Sequence, residues 1–402
     1  MTFLATPAFT LLLAMAPAEP DPACRIDPVT LETAIASAET LVGTYLETIS
    51  GLTDGAVPGT SVAVSACGRV VWREGFGWAD IEQHTPVTPD SLFRAGSIAK
   101  TLTSALLGQA IDTGRLDPDA PIDTYLADRP NAPDYADRIT TRQLAAHLAG
   151  IRHYAGSEFY SNTAYATVGD GLSVFTADPL DHEPGTQYLY SSYGWNLLSA
   201  VLEDAWPGPY LDLMQARVLD PAGMTDTRAE GLGTPVPGVV TFYEFDPSQN
   251  RIQRAPEVDN SVKWASGGFL STPTDILRFS LHMHDGSLVP GDILAALTEE
   301  QVQADGQATG YGLGWNIAMA DDQLRYAQDF YPADMLGRIG DRLGAYRNYG
   351  HTGGSVGARS VYVVFPDAPG GLAVAAMTNA DIGPVYAVPV ANAFLDAIAD
   401  GD

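Results

Sequence analysis

The strand-forming stretches of this 402-residue chain are divided between its two ends. Ser61-Val62-Ala63-Val64-Ser65 and Val70-Val71-Trp72-Arg73-Glu74-Gly75-Phe76-Gly77 are β-rich runs joined by Ala66-Cys67-Gly68-Arg69, a hairpin signal. Far downstream, Ser360-Val361-Tyr362-Val363-Val364-Phe365 and Gly371-Leu372-Ala373-Val374-Ala375-Ala376-Met377 read as strands again. Between them, from Asp117 to about Asn250, helices dominate, and apolar residues at helical spacing also mark residues 28–50 and 385–398. The simplest packing that buries all these faces is an antiparallel sheet built from both chain ends, flanked by helices, with a mainly helical lobe inserted. This is an α/β fold of the α+β type. Residues 19–96 and 255–402 then form the sheet lobe and residues 97–254 the helical lobe, with a site expected in the cleft between them. Residues 238–245 alternate like one further strand.

The hairpin leads through Thr88-Pro89-Asp90 into Phe93-Arg94-Ala95-Gly96-Ser97-Ile98-Ala99-Lys100, after which Leu102, Leu106, Ala110 and Ile111 repeat at spacings of three and four. Gly114 supplies the stop. If this helix begins near Ser97, then Ser97 and Lys100 are neighbours in its first turn, at the positive end of its dipole, where a developing oxyanion is favoured. Only two of the 21 basic residues are lysines, Lys100 and Lys263. Arginine keeps its proton at working pH, whereas a desolvated lysine can act as a base, which is what S-x-x-K needs.

The formal charge of −28 argues against a nucleic-acid partner, because phosphates are repelled. Residues 1–18 hold a short apolar run ending in Ala16-Pro17-Ala18, read as an export signal, so the mature chain is expected to be exported, periplasmic or secreted. No other segment is apolar for long enough to span a membrane. Cys24 and Cys67 could pair in such a compartment or remain two free thiols.

Three short segments complete the pattern. Ser97-Ile98-Ala99-Lys100, Tyr190-Ser191-Ser192 and His351-Thr352-Gly353, in that order, resemble the S-x-x-K, Y-x-N and K-T-G or H-T-G motifs of the serine β-lactamase and penicillin-recognising family, in its class C and esterase-like branch. Residues 146–154 and 258–272 resemble the mitochondrial serine β-lactamase-like proteins and their bacterial relatives, and the likeness covers roughly residues 30 to 395. The resemblance implies Ser97 as nucleophile, Lys100 as its proton partner and Tyr190 as second base, handing a proton to the leaving group. It implies the backbone N–H groups of Ser97 and Gly354 as an oxyanion hole, and Ser192, His351, Thr352 and Gly353 as substrate-binding residues. A phenol beside an ammonium is expected to have its pKa lowered.

Ser192 stands where the motif has asparagine, so a side-chain amide for a substrate carbonyl is missing. His351 stands for the usual lysine and is expected to exchange a fixed charge for one that titrates near neutrality, weakening carboxylate recognition at alkaline pH. The expected activity is that of a serine hydrolase working through an acyl-enzyme on small esters, amides or peptides, without metal or cofactor. The rivals are a non-catalytic penicillin-recognising sensor or scaffold, and a true β-lactamase or D-Ala-D-Ala carboxypeptidase. Gly353-Gly354-Ser355-Val356-Gly357 also fits the G-x-S-x-G elbow, but that needs a helix after it, and residues 359–365 read as a strand. His282-Met283-His284-Asp285 lacks the companion ligands of a zinc site. His147 and His153 are expected to order the loop after their helix, Lys263 to pack near the site, and Tyr188 is the nearest competitor of Tyr190. Oligomeric state is not legible.

Overall fold

A computed structural model describes residues 24–126, 129–231 and 236–399; the leader at residues 1–18 lies outside them. Pro28–Leu52 forms α1, whose N-cap Asp27 accepts a hydrogen bond from the Thr30 N–H and whose first turn opens with proline, both of which suit a helix start. It ends at a hairpin, β1 (Thr60–Ala66) and β2 (Arg69–Phe76), turned by Cys67 and Gly68, both with positive φ. Three further helices position the site: α2 (Ala99–Asp112), α3 (Ser192–Ala205) and α4 (Pro273–His284). The chain then adds β3 (Asn316–Ile317), β4 (Tyr349–Ser355), β5 (Ala358–Phe365) and β6 (Leu372–Thr378), and closes with α5 (Ala387–Phe394).

The main sheet runs β3-β4-β5-β6-β1-β2, antiparallel at every pairing. The two chain ends meet at β6 and β1, where Ala373 to Thr378 pair with Ser65 to Thr60. Alternate residues of these strands enter two cores. Ala63, Tyr362, Val364, Ala375 and Met377 face α2, α3 and α4; Val62, Val64, Val361, Val363 and Ala376 face α1 and α5. Burial on both faces explains why the runs read as almost continuously apolar.

A second sheet of three short strands places Phe269–Ser271 between Phe93–Arg94 and Arg228–Ala229, tying the approach to Ser97 to chain more than a hundred residues on. The strand expected at residues 238–245 is shorter and later: Tyr243–Asp246 pairs with Arg251–Arg254. Residues 239–241 are instead held by scattered backbone bonds to Leu92 and Ala79. The apolar stretch after Pro209 is helical at Tyr210–Met214 and widens to a π-turn at Gln215–Leu219. Cys24 and Cys67 are joined in a disulfide.

Candidate active site

Ser97 sits in a 3-10 turn, Gly96–Ile98, that runs straight into α2. Gly96 takes φ +53, and a methyl built on it would lie 2.6 Å from the backbone nitrogen of Gly354. Only glycine fits there, because the left-handed region disfavours other residues and the neighbour is main chain. The turn is thereby pressed against β4. On its other side β4 meets β3 only at Tyr349 and Gly350, so residues 351–355 keep an open edge beside a partly exposed Ser97.

Lys100, one turn on, is 0% exposed. Its Nζ lies within hydrogen-bonding distance of Ser97 Oγ at 3.0 Å, Ser192 Oγ at 3.2 Å and the Ser266 carbonyl oxygen at 2.7 Å. Among the described residues no carboxylate pairs with it. Burial alone drives its pKa well below that of a free lysine, since removing water penalises the charged form.

Tyr190 stands two residues ahead of α3, whose N-cap is Ser191; the Ser191 hydroxyl accepts from the Gly194 N–H at 3.0 Å and donates to the Arg152 carbonyl at 2.8 Å. Lys100 Nζ lies 4.9 Å from the Tyr190 ring centroid. Burial raises the Tyr190 pKa above the ordinary phenol value, and a hydrogen bond with Ser97 opposes it without winning. The expected lowering does not occur. Burial outweighs what its neighbours offer a phenolate, so the phenol keeps its proton at neutral pH. Tyr188 packs edge-on against His147 at 5.8 Å, and of the two phenols it is Tyr190 whose ionisation Ser97 influences.

Two histidines set the Tyr190 loop. His147 Nδ1 accepts from the Ser191 N–H at 3.0 Å, His153 Nδ1 accepts from the Ser192 N–H at 3.1 Å, and the Leu189 N–H donates to the His147 carbonyl at 2.9 Å. Both must be neutral to accept. Burial lowers the pKa of each, to about 4 for His153. The loop they order is not, as expected, the one after their own helix but one some forty residues downstream, and nothing in the local pattern announces that.

The substrate-binding assignments change. Ser192 is buried with its hydroxyl against the Lys100 amine. His351 is 2% exposed; its Nδ1–H donates to the Thr352 carbonyl at 2.5 Å, leaving Nε2 to accept from the Tyr311 hydroxyl at 2.8 Å. Burial lowers its pKa to about 3, so it is neutral through the physiological range and not a titrating anion receptor. Thr352 pairs with Val361 of the outer core while His351 pairs with Tyr362 of the inner one, so the Thr352 side chain lies on the sheet face away from α2. Gly353 is a packing position: an added methyl would lie 2.0 Å from Ser360 Oγ and 2.1 Å from the Ala95 carbonyl. Gly354 is exposed, and an added methyl there would meet nothing closer than the Arg359 guanidinium at 3.4 Å.

Tyr311 stands in a glycine-rich stretch, Gly310-Tyr311-Gly312-Leu313-Gly314, that carries no sequence signal of a site. Ser266, which bonds Lys100 through its carbonyl, lay in a matched segment without a role. Gly353 to Ser355 close β4, and Val356 and Gly357 turn the chain directly into β5, so no helix follows and the elbow geometry is absent there. His282 Nδ1 contacts Ser287 Oγ and His284 bridges the Ser280 carbonyl and the Tyr349 hydroxyl, which makes both structural.

Comparison with known proteins places the family and the fold. The family model described as Beta-lactamase matches residues 39–396. The serine beta-lactamase-like protein LACTB, mitochondrial, of Homo sapiens is 29% identical over 387 residues, spanning 77% of this chain and 69% of that protein. The D-aminopeptidase of Gluconobacter oxydans (strain 621H) is 27% identical over 262 residues, spanning 64% of this chain and 48% of that protein. The D-amino acid amidase from Ochrobactrum anthropi SV3, solved with D-phenylalanine, has the same fold, with a TM-score of 0.69 at 22% identity over 89% of this chain and 98% of that one.

Proposed function

This chain belongs to the beta-lactamase family and is a serine hydrolase, and from that premise we propose that Ser97, Lys100 and Tyr190 carry an acyl-enzyme reaction on small esters, amides or peptides. The observation that carries the reading is the buried, carboxylate-free amine of Lys100 in hydrogen-bonding contact with Ser97.

Lys100 takes the proton from Ser97 Oγ as that oxygen bonds to the substrate carbonyl carbon, so the amine becomes an ammonium. The carbonyl oxygen becomes an oxyanion facing the N–H groups of Ser97 and Gly354, a type of contact worth on the order of a hundredfold in turnover per donor. Tyr190, starting as the neutral phenol, gives its proton to the leaving alkoxide or amine as the C–O or C–N bond breaks, and recovers one from the Lys100 ammonium. Water then attacks the acyl-enzyme, passing its proton back through the same groups, and Ser97 is released. The split into a sheet lobe (19–96 and 255–402) and a helical lobe (97–254) belongs to this proposal. So does export, which the Cys24–Cys67 disulfide supports, since such bonds persist in oxidising compartments.

A fluorophosphonate probe should label the wild type and leave Ser97→Ala unlabelled. Equal labelling of both would refute the assignment. Screening p-nitrophenyl esters, nitrocefin and D-amino-acid amides side by side then identifies the substrate class.

A further inference from the structure

Lys263 takes no part in these steps, yet it is 4% exposed and tied into the walls of the site. Its Nζ donates to the Phe159 carbonyl at 2.7 Å and to Asn260 Oδ1 at 3.1 Å. Asn260 Nδ2 donates to Glu230 Oε2 at 2.6 Å, and Glu230 also accepts from Arg94 Nε at 2.9 Å and Nη2 at 2.8 Å. Arg94 Nη1 in turn donates to the Val356 carbonyl at 2.6 Å. One continuous polar strap therefore joins the strand before Ser97, the turn after Gly354, and residue 159.

Residue 159 belongs to a row of rings that starts at the catalytic phenol. Centroid separations are 5.6 Å from Tyr190 to His153, 4.4 Å from His153 to Tyr154, 5.9 Å from Tyr154 to Phe159 and 5.3 Å from Phe159 to Tyr160. His153, Tyr154 and Phe159 are partly exposed and Tyr160 is 48% exposed, so the row borders solvent along its length. The intervening Ala155, Gly156 and Ser157 are exposed and bring no apolar anchor. The loop is held instead by the Arg152–Glu158 ion pair and by Lys263, whose Nζ also lies 5.6 Å and 5.1 Å from the Tyr154 and Phe159 ring centroids.

We infer that residues 153–160 form an aromatic wall receiving an apolar or aromatic group of the substrate next to the scissile bond, and that Lys263 is the positioning residue holding that wall. The inference rests on the reading of Ser97 as the nucleophile. Rings ordered in this way offer dispersion and edge-to-face contacts to an aromatic substituent and little to a methyl group. An ordered wall improves substrate binding without changing the reacting groups, so its loss should be read mainly in KM.

The test compares kcat/KM for p-nitrophenyl phenylacetate and p-nitrophenyl acetate in the wild type, Phe159→Ala, Lys263→Met and Lys263→Arg. The phenylacetate-to-acetate ratio should fall about tenfold in Phe159→Ala and Lys263→Met, chiefly through KM. Lys263→Arg, which keeps a donor for the Phe159 carbonyl, should retain most of it. An unchanged ratio in Phe159→Ala overturns the wall. An unchanged ratio in Lys263→Met alongside a lowered one in Phe159→Ala overturns the role of Lys263, as does an equal fall for both esters, the signature of general loosening. Should Lys263→Met not fold, Lys263→Arg and Phe159→Ala carry the comparison. Wild-type turnover that persists in Ser97→Ala would instead bring down the nucleophile assignment, and this inference with it.

Discussion

Lys100 is buried where a charged amine has neither water nor a carboxylate to stabilise it, so folding lowers its pKa well below that of a free lysine. The unfolded chain protonates it below about pH 10.4. Between the lowered folded value and that pH the unfolded state binds the extra proton, so this residue's contribution to stability rises with pH and is a penalty at neutrality. Lys100→Met should therefore abolish turnover while melting no lower than the wild type at pH 7. Inactivity accompanied by a large fall in Tm would mean the lysine is structural. The histidines follow the same sign. His351 and His153 are lowered to about 3 and about 4 by burial first, so as pH drops below about 6.5 the unfolded state binds protons that the folded state refuses. Stability should fall with pH through that window, and His351→Gln should flatten the fall in a pH series of melting curves. For the same reason, kcat/KM for a carboxylate-bearing substrate should show no inflection near neutrality that disappears in His351→Gln.

At the scale of the element, the site is a contact between a 3-10 turn and the open edge of β4, and adjacent glycines in that strand do different work. Gly353 touches main chain and Ser360 on its buried side, so Gly353→Ala must push Ala95, and with it the Ser97 turn, away from β4. Overpacking of this kind costs about 1–3 kcal/mol or more and should also remove activity. Gly354 offers only its N–H and has room for a methyl, so Gly354→Ala should fold normally and keep most of its kcat; comparing urea midpoints and turnover of the two variants checks the assignment. Such elements were largely legible in advance. The hairpin around Cys67, α2 with its glycine stop, α4 opening on Pro273, and the late strands β5 and β6 follow from local periodicity and turn residues. What periodicity could not supply is contact between distant segments. That His147 and His153 accept from residues 191 and 192, that Tyr311 bonds His351, and that Thr352 faces the outer core depend on how elements cross. Ionisation was misread for the same reason: Lys100, Tyr190 and His351 are shifted chiefly by burial, which no short motif records.

Over the whole molecule, both ends of the chain are drawn to one region. β1 and β6 pair at the centre of the sheet, and residues 25–26 pair with residues 398–399. The Cys24–Cys67 bond then fastens the segment ahead of α1 to the turn of the β1–β2 hairpin across a separation of 43 residues. A cross-link of that span removes chain entropy from the unfolded state worth roughly 4 kcal/mol, an upper figure if the reduced chain keeps residual structure. None of the site residues lies within that loop; Ser97, Tyr190 and β4 belong to segments outside it. Replacing both cysteines by serine should therefore lower the urea midpoint and Tm clearly while leaving kcat and KM unchanged at a temperature where the variant is folded. A parallel loss of activity in the folded variant would show that the cross-link reaches the site through α1 and the sheet, and that the two ends of the molecule are mechanically coupled to the groove.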